Sequence, residues 1–249
     1  MGQVIPGAES WSAGGGEHGA LVLHGFVGNP VSVRPLAEAL ADAGFAVELP
    51  RLPGHGTTAA ELNRTRWTDW AREASAALDL LAARTTRRVV VGQSMGGALA
   101  LHLAGARPDL VHGIAVINPF LSMADRRLAV LPVLKRLVPS LQFGVGDDIA
   151  KSGVSEYAYP RVPLRALDSV RELHRQLDLA RVAQPILVLT SARDNTVDTA
   201  DSQRVLDGVG SVDREQVVLQ DSYHVATLDH DADLINARVT DFAKRVCDG

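Results

Sequence analysis

Short apolar runs alternate along the chain with longer stretches in which apolar residues recur every three or four positions. The runs at 20–23, 46–49, 88–91, 113–117, 185–190 and 216–220 have the length of buried strands. The periodic stretches at 35–43, 67–83, 97–106, 200–206 and 232–245 each carry an apolar face of helical spacing. Strands that read as continuous apolar runs are covered on both sides, which is the situation inside a parallel sheet. Strand and helix in alternation therefore predict an α/β fold with a mostly parallel central sheet and helices on both faces.

The alternation breaks once. Residues 119–179 are too many for a single crossover helix, and they include Pro119, Pro132, Pro139, Pro160 and Pro163. This stretch is expected to be an insertion over the carboxyl edge of the sheet, with the core formed by residues 1–118 and 180–249. Within it Leu128, Leu131, Leu134, Leu137, Val138 and Leu141 lie near Arg126, Arg127, Lys135 and Arg136, a pattern that predicts one or two amphipathic helices. Those leucines can pack down on the sheet or face a membrane surface. Gly14, Gly15 and Gly16 read as a flexible lead-in.

Composition narrows the possibilities. A chain of 249 residues suits one hydrophobic core, and 25 basic against 29 acidic side chains leave no positive field for a nucleic-acid backbone. Cys247 is the only cysteine, so an intrachain disulfide and a cysteine-based zinc site are both excluded, and a reducing cytoplasm is the expected compartment. The first residues lack the basic and then apolar succession of a secretory leader, and no apolar run reaches the roughly 20 residues that a membrane span requires.

The strongest chemical signal is Gly92-Gln93-Ser94-Met95-Gly96, a G-x-S-x-G that follows the β-branched run 89–91 and precedes a helical stretch. Such a strand–turn–helix exposes a serine on a strained backbone, and glycines are needed where Cβ atoms would strike neighbouring main chain. A serine hydroxyl is a weak nucleophile, so it needs a histidine as base and an acid to hold the histidine, here expected in the chain order Ser, acid, His. His102 and His112 lie too close to Ser94 in sequence and His174 lies in the insertion, which leaves His224, after the last strand, and His230, near the start of the last helix. His224 is the favoured base. The loop after strand 185–190 offers Asp194, with Asp198 as the alternative and a helix cap as its ordinary use. Asp201 reads as first-turn charge against a helix dipole. Two main-chain donors are expected for a tetrahedral oxyanion: the N–H of Met95, at the helix start, and that of Phe26, in the loop after the first predicted strand. His24 in that loop reads either as support for the oxyanion site or as a buried, hydrogen-bonded imidazole.

With these residues placed, the chain resembles the small bacterial carboxylesterases and monoacylglycerol lipases of the α/β-hydrolase superfamily. The similar segments are Leu23-His24-Gly25-Phe26, Arg34-Pro35-Leu36-Ala37-Glu38, Leu49-Pro50-Arg51-Leu52-Pro53-Gly54-His55-Gly56-Thr57, the elbow itself, and Ser222-Tyr223-His224-Val225-Ala226-Thr227-Leu228-Asp229. The resemblance implies the α/β-hydrolase fold, a short cap over an apolar acyl tunnel, and no metal or organic cofactor. It assigns the base to His224 and places Glu156 of the cap against a glycerol head group. It departs at Gln93, where the family has an apolar residue, and over 119–146. The expected substrate is a lipophilic ester, foremost a monoacylglycerol. The alternatives are a short-chain carboxylesterase without glycerol preference, a thioesterase or lactonase, or a ligand-binding receptor or scaffold on the same fold.

Overall fold

The computed structural model describes residues 2–123, 131–142 and 147–249. Nine strands, β1 (Trp11–Ala13), β2 (His18–Leu23), β3 (Ala46–Leu49), β4 (Arg87–Gln93), β5 (Gly113–Ile117), β6 (Ser140–Leu141), β7 (Val162–Pro163), β8 (Ile186–Ser191) and β9 (Arg214–Leu219), are present among the described residues. So are the helices α1 (Arg34–Asp42), α2 (Ala59–Leu62), α3 (Trp67–Ala82), α4 (Met95–Ala106), α5 (Leu131–Leu137), α6 (Leu164–Gln176), α7 (Ala200–Gly208) and α8 (Ala232–Asp248).

Seven strands form one sheet in the order β1-β3-β2-β4-β5-β8-β9. Its six inner and far-edge strands are parallel, and only β1 runs antiparallel, against β3. The strand period of two sorts side chains to opposite faces. Leu21 and Leu23 of β2 join Val90, Ile114, Val116, Ile186 and Val188 under α3, α4 and α6, and Ala20, Val22, Val89, Val91, Ala115 and Leu187 meet α1 and α8 on the other side. This is the α/β-hydrolase arrangement of a mostly parallel sheet with helices on both faces. The six expected strands are all present. β1 escaped the sequence reading because three residues around a polar Ser12 make no apolar run.

The glycines at 14–16 are not a loose lead-in. A Cβ on Gly15 would stand 2.2 Å from main-chain atoms of Phe45 and Ala46, and the Gly16 N–H donates to the Gly44 carbonyl at 2.8 Å. The bare Cα of Gly15 lets the turn between β1 and β2 lie directly on the turn that enters β3.

In the expected insertion, Leu128, Arg126 and Arg127 fall outside the described residues. Leu131 is buried, Leu134, Val138 and Leu141 pack with it on Val162, Leu164 and Leu167, and Leu137 is exposed. The Lys135 ammonium of α5 pairs with the buried Asp168 carboxylate of α6, which Arg171 also holds at 3.0 Å. Ala166, Val170 and Leu173 place α6 in the same apolar cluster as α3 and α4. No helix among the described residues is long and apolar enough to cross a membrane.

Leu78 of α3 is fully buried in that cluster, whereas Leu80 on the same helix is 60% exposed. Leu78→Ala should cost about 2–5 kcal/mol and lower the melting temperature by roughly 5–15 °C, as truncation of a buried leucine in a chain of this size does. Leu80→Ala should leave it nearly unchanged, and a pair of calorimetric scans checks both.

Candidate active site

β4 delivers Ser94 at the centre of the sheet's carboxyl edge, because β2 and β5 flank β4 and α4 begins at the next residue. Ser94 adopts φ 56° and ψ −121°, a conformation that L residues hold only under constraint. The glycines supply the clearance. A Cβ on Gly92 would lie 2.1 Å from the Gly96 carbonyl oxygen, and one on Gly96 would lie 2.2 Å from the Leu23 carbonyl oxygen. The Ser94 N–H donates to the Ile117 carbonyl at 2.9 Å, and the Ser94 carbonyl accepts from Gly97 at 2.9 Å and Phe120 at 3.2 Å.

His224 and Asp194 reach Ser94 from the loops that follow β9 and β8. His224 Nε2 stands 3.0 Å from Ser94 Oγ, and its Nδ1 stands 2.7 Å from Asp194 Oδ2. Asp194 Oδ1 accepts from the N–H groups of Thr196 and Val197, each at 2.8 Å. The carboxylate is thus aimed by its own loop before it meets the imidazole. His230 and Asp198, the alternatives, are exposed; Asp198 accepts from the Ala200 N–H at 2.9 Å, the capping use. The structure therefore brings Ser94, His224 and Asp194 together and leaves His230 and Asp198 outside.

The Phe26 and Met95 N–H groups have no intramolecular acceptor among the described residues. The loop that carries Phe26 runs over the serine: a Cβ on Gly25 would stand 3.4 Å from Ser94 Cβ. Val27 in that loop has φ 58°, a costly conformation for a β-branched residue, and its carbonyl accepts from the Tyr159 N–H at 3.3 Å. His24 is buried, with Nδ1 donating to the Gly25 carbonyl at 3.0 Å and Nε2 accepting from the Leu52 N–H at 3.2 Å. Burial pushes its pKa down to about 4, so the ring is the neutral tautomer that this pair of bonds requires. Its buried, hydrogen-bonded state and its support of the Phe26 loop are one arrangement.

Glu156 lies under the same loop. Its Oε2 would stand 3.1 Å from a Cβ on Gly28, and its backbone carbonyl accepts from the Asn29 side-chain amide at 3.1 Å. The side chain is 7% exposed, and burial raises its pKa to about 7, against the opposing pull of His224. Near neutrality this carboxyl both donates and accepts.

Residues 18–231 match the protein family described as "Serine aminopeptidase, S33". The chain belongs to this α/β-hydrolase family. It is 37% identical to a thermostable monoacylglycerol lipase of Bacillus sp. (strain H-257), over 96% of this chain and 95% of that one. It is 25% identical to a carboxylesterase of Bacillus subtilis (strain 168), over 93% and 94% of the two chains. A solved structure described under LipS and LipT, two metagenome-derived lipolytic enzymes, superposes with a TM-score of 0.94 at 40% identity, covering 98% of this chain and 100% of the other.

This α/β-hydrolase also places residues at the site that the sequence reading passed over. Asn118, with φ 44° at the end of β5, donates to the Ser191 hydroxyl and the His224 carbonyl, each at 2.9 Å, while its side-chain oxygen accepts from the Ser191 N–H at 2.7 Å. Asp229 is buried and accepts from the N–H groups of Ala150 (2.7 Å), Lys151 (2.9 Å), Tyr223 (2.9 Å) and His230 (2.8 Å). Burial alone would raise its pKa, but these four donors outweigh it and hold the carboxyl below its usual range. Gln93, the departure from the family pattern, meets the Thr227 hydroxyl at 2.6 Å, and that hydroxyl is 2.5 Å from the Ser32 carbonyl. An amide one residue before the nucleophile thus ties the elbow to the turn beyond His224. Asp201 is in the first turn of α7, as expected, yet it is fully buried and accepts from the N–H groups of Leu121 (2.8 Å) and Ser122 (2.9 Å).

The raised pKa of Glu156 has a thermodynamic consequence. Between about 4.5, its ordinary value, and about 7, the folded protein holds a proton that the unfolded chain releases, so this group lowers stability as pH rises through that window. Glu156→Gln removes the titration. The unfolding free energy of the variant relative to the native protein should therefore rise between pH 4.5 and 7, by about 1.4 kcal/mol per pH unit, and level off above, with the melting temperature following it. Parallel melting curves across that range check the slope.

Proposed function

We propose that the protein, a serine hydrolase of carboxylic esters, acts on monoacylglycerols through an acyl-enzyme on Ser94. The observation that carries this reading is the hydrogen-bonded chain from Ser94 Oγ through His224 to Asp194, lying beside two unengaged N–H groups. His224 takes the Ser94 proton as Oγ attacks the ester carbonyl, and Asp194 holds the imidazole's tautomer and balances its charge. The Phe26 and Met95 N–H groups receive the oxyanion, and at Met95 the amino end of α4 adds its dipole. Collapse of the tetrahedral intermediate passes the His224 proton to the leaving alcohol. A water activated by His224 then releases the acid.

Glycerol preference is assigned to Glu156, a buried carboxyl on the cap side of the Phe26 loop that offers both a donor and an acceptor to a diol. The cap, residues 119–179, covers the acyl chain, with α6 as its base on the core. The 37% identity to a monoacylglycerol lipase over nearly the full length of both chains supports this substrate class. Exposed Val133 and Leu137 on α5 suit brief contact with a lipid surface where such substrates reside. A free, buried Cys247 suits a reducing cytoplasm.

Ser94→Ala should lower kcat by on the order of 10⁶ while the protein stays folded, and a fluorophosphonate should label Ser94 stoichiometrically. Labelling at another serine would refute the mechanism. His224→Ala should cost about as much as Ser94→Ala, and the double variant little more.

Glu156→Ala should lower kcat/KM for a monoacylglycerol by about 10–100-fold, the worth of one hydrogen bond to a buried carboxyl, and should barely alter turnover of the methyl ester of the same acid. An equal loss on both esters would favour a carboxylesterase without glycerol preference.

A further inference from the structure

Asp148 belongs to the stretch that returns from the cap, yet its carboxylate touches both loops that carry the acid and the base. Oδ2 accepts from the Asn195 N–H at 3.1 Å, the Thr196 hydroxyl at 3.2 Å and the His224 N–H at 3.2 Å, and Oδ1 accepts from the Asn195 side-chain amide at 2.9 Å. The Asp148 carbonyl adds the Val225 N–H at 3.0 Å. Asn195 and Thr196 follow Asp194 directly, and Val225 follows His224, so one residue grips the two loops on either side of the Asp194–His224 bond.

We propose that Asp148 is a positioning residue for that pair, and that it fixes the separation at which the 2.7 Å Asp194–His224 bond forms. The proposal rests on the catalytic reading above. The two loops leave neighbouring parallel strands, β8 and β9, and at their base Asn118 and Ser191 hold them together. Beyond that base the loops run on to α7 and α8, and the Asp148 carboxylate spans them. Its chemistry suits the task. Four donors converge on it, and a carboxylate accepts about four hydrogen bonds while presenting no donor of its own. An amide in its place would turn an NH₂ group toward one of those donors.

The bridge is itself held from behind. Asp229, five residues beyond His224, takes the N–H groups of Ala150 and Lys151 at 2.7 and 2.9 Å, and the Asp147 carboxylate takes the Glu156 N–H at 2.7 Å. The segment that sets the Asp194–His224 spacing is therefore continuous with the segment that seats Glu156. Through Asp148 the cap's return path becomes part of the proton-transfer apparatus.

The test is steady-state hydrolysis of a chromogenic short-chain ester and of a monoacylglycerol by Asp148→Asn and Asp148→Ala, each alone and combined with Asp194→Ala. A displaced imidazole slows proton transfer without weakening binding, so kcat should fall about 10–100-fold on both esters while KM stays within about twofold. Because Asp148 acts through the Asp194–His224 bond, adding Asp148→Asn to Asp194→Ala should cost less than about threefold more. Melting curves establish that each variant is folded at the assay temperature, and the near-isosteric Asp148→Asn decides the matter where the alanine variant does not fold. Unchanged kcat, a loss confined to KM, or a full multiplicative loss in the Asp194→Ala background overturns the proposal. Undiminished activity in Asp194→Ala alone would instead overturn the catalytic reading on which it rests.

Discussion

No side chain fits at positions 92 and 96, and the place of Ser94 follows from that single constraint. With glycine at both, the end of β4 and the first turn of α4 come within contact of the carbonyls of Leu23 and Gly96, and the residue between them is forced to φ 56°. The strain needs a rigid surrounding to persist. α4 provides it, since Met95 through Leu101 are all buried between the sheet and α3 and α6. The elbow is also what brings the Leu23–Phe26 stretch over the serine, so nucleophile and oxyanion donors share one steric origin.

Around that fixed point, burial decides which groups carry charge. His24 is held neutral and can therefore bond a carbonyl with one nitrogen and an N–H with the other. Glu156 keeps its proton to about pH 7 because it is buried and the opposing pull of His224 only partly compensates. Asp229 is buried as well but remains an anion, because four main-chain donors replace its water. Three buried titratable groups within one site thus differ in charge according to the partners that each was given.

Most of the sheet and the Ser94–His224–Asp194 geometry were legible because each has a local signature: an apolar run, a glycine pair around a serine, an acid and a histidine after successive strands. What escaped has none. Asp148 earns its place only from two loops that are 47 and 76 positions away. Asn118 looks like any residue after a strand, and its bonds reach Ser191 and His224 across the sheet. Gln93 was visible as a departure from the family pattern, but its partner Thr227 lies 134 positions on. Asp201 was legible as first-turn charge on α7, but its bonds to Leu121 and Ser122 lie about 80 positions back and leave no local mark.

The bonds from Asp229 to residues 150 and 151 bear on how such a chain can diversify. A segment hung on the core only by its ends would be interchangeable, and evolution or an engineer could graft a new one in its place. Here the outgoing strap is pinned at Leu121 and Ser122 by Asp201, and the returning strap is pinned at Ala150 and Lys151 by Asp229. A graft that respects both pins and the Asp147–Asp148 contacts has its splice points between 122 and 147 and leaves the return path native. One cut outside them would trade specificity against the register of the loops beneath.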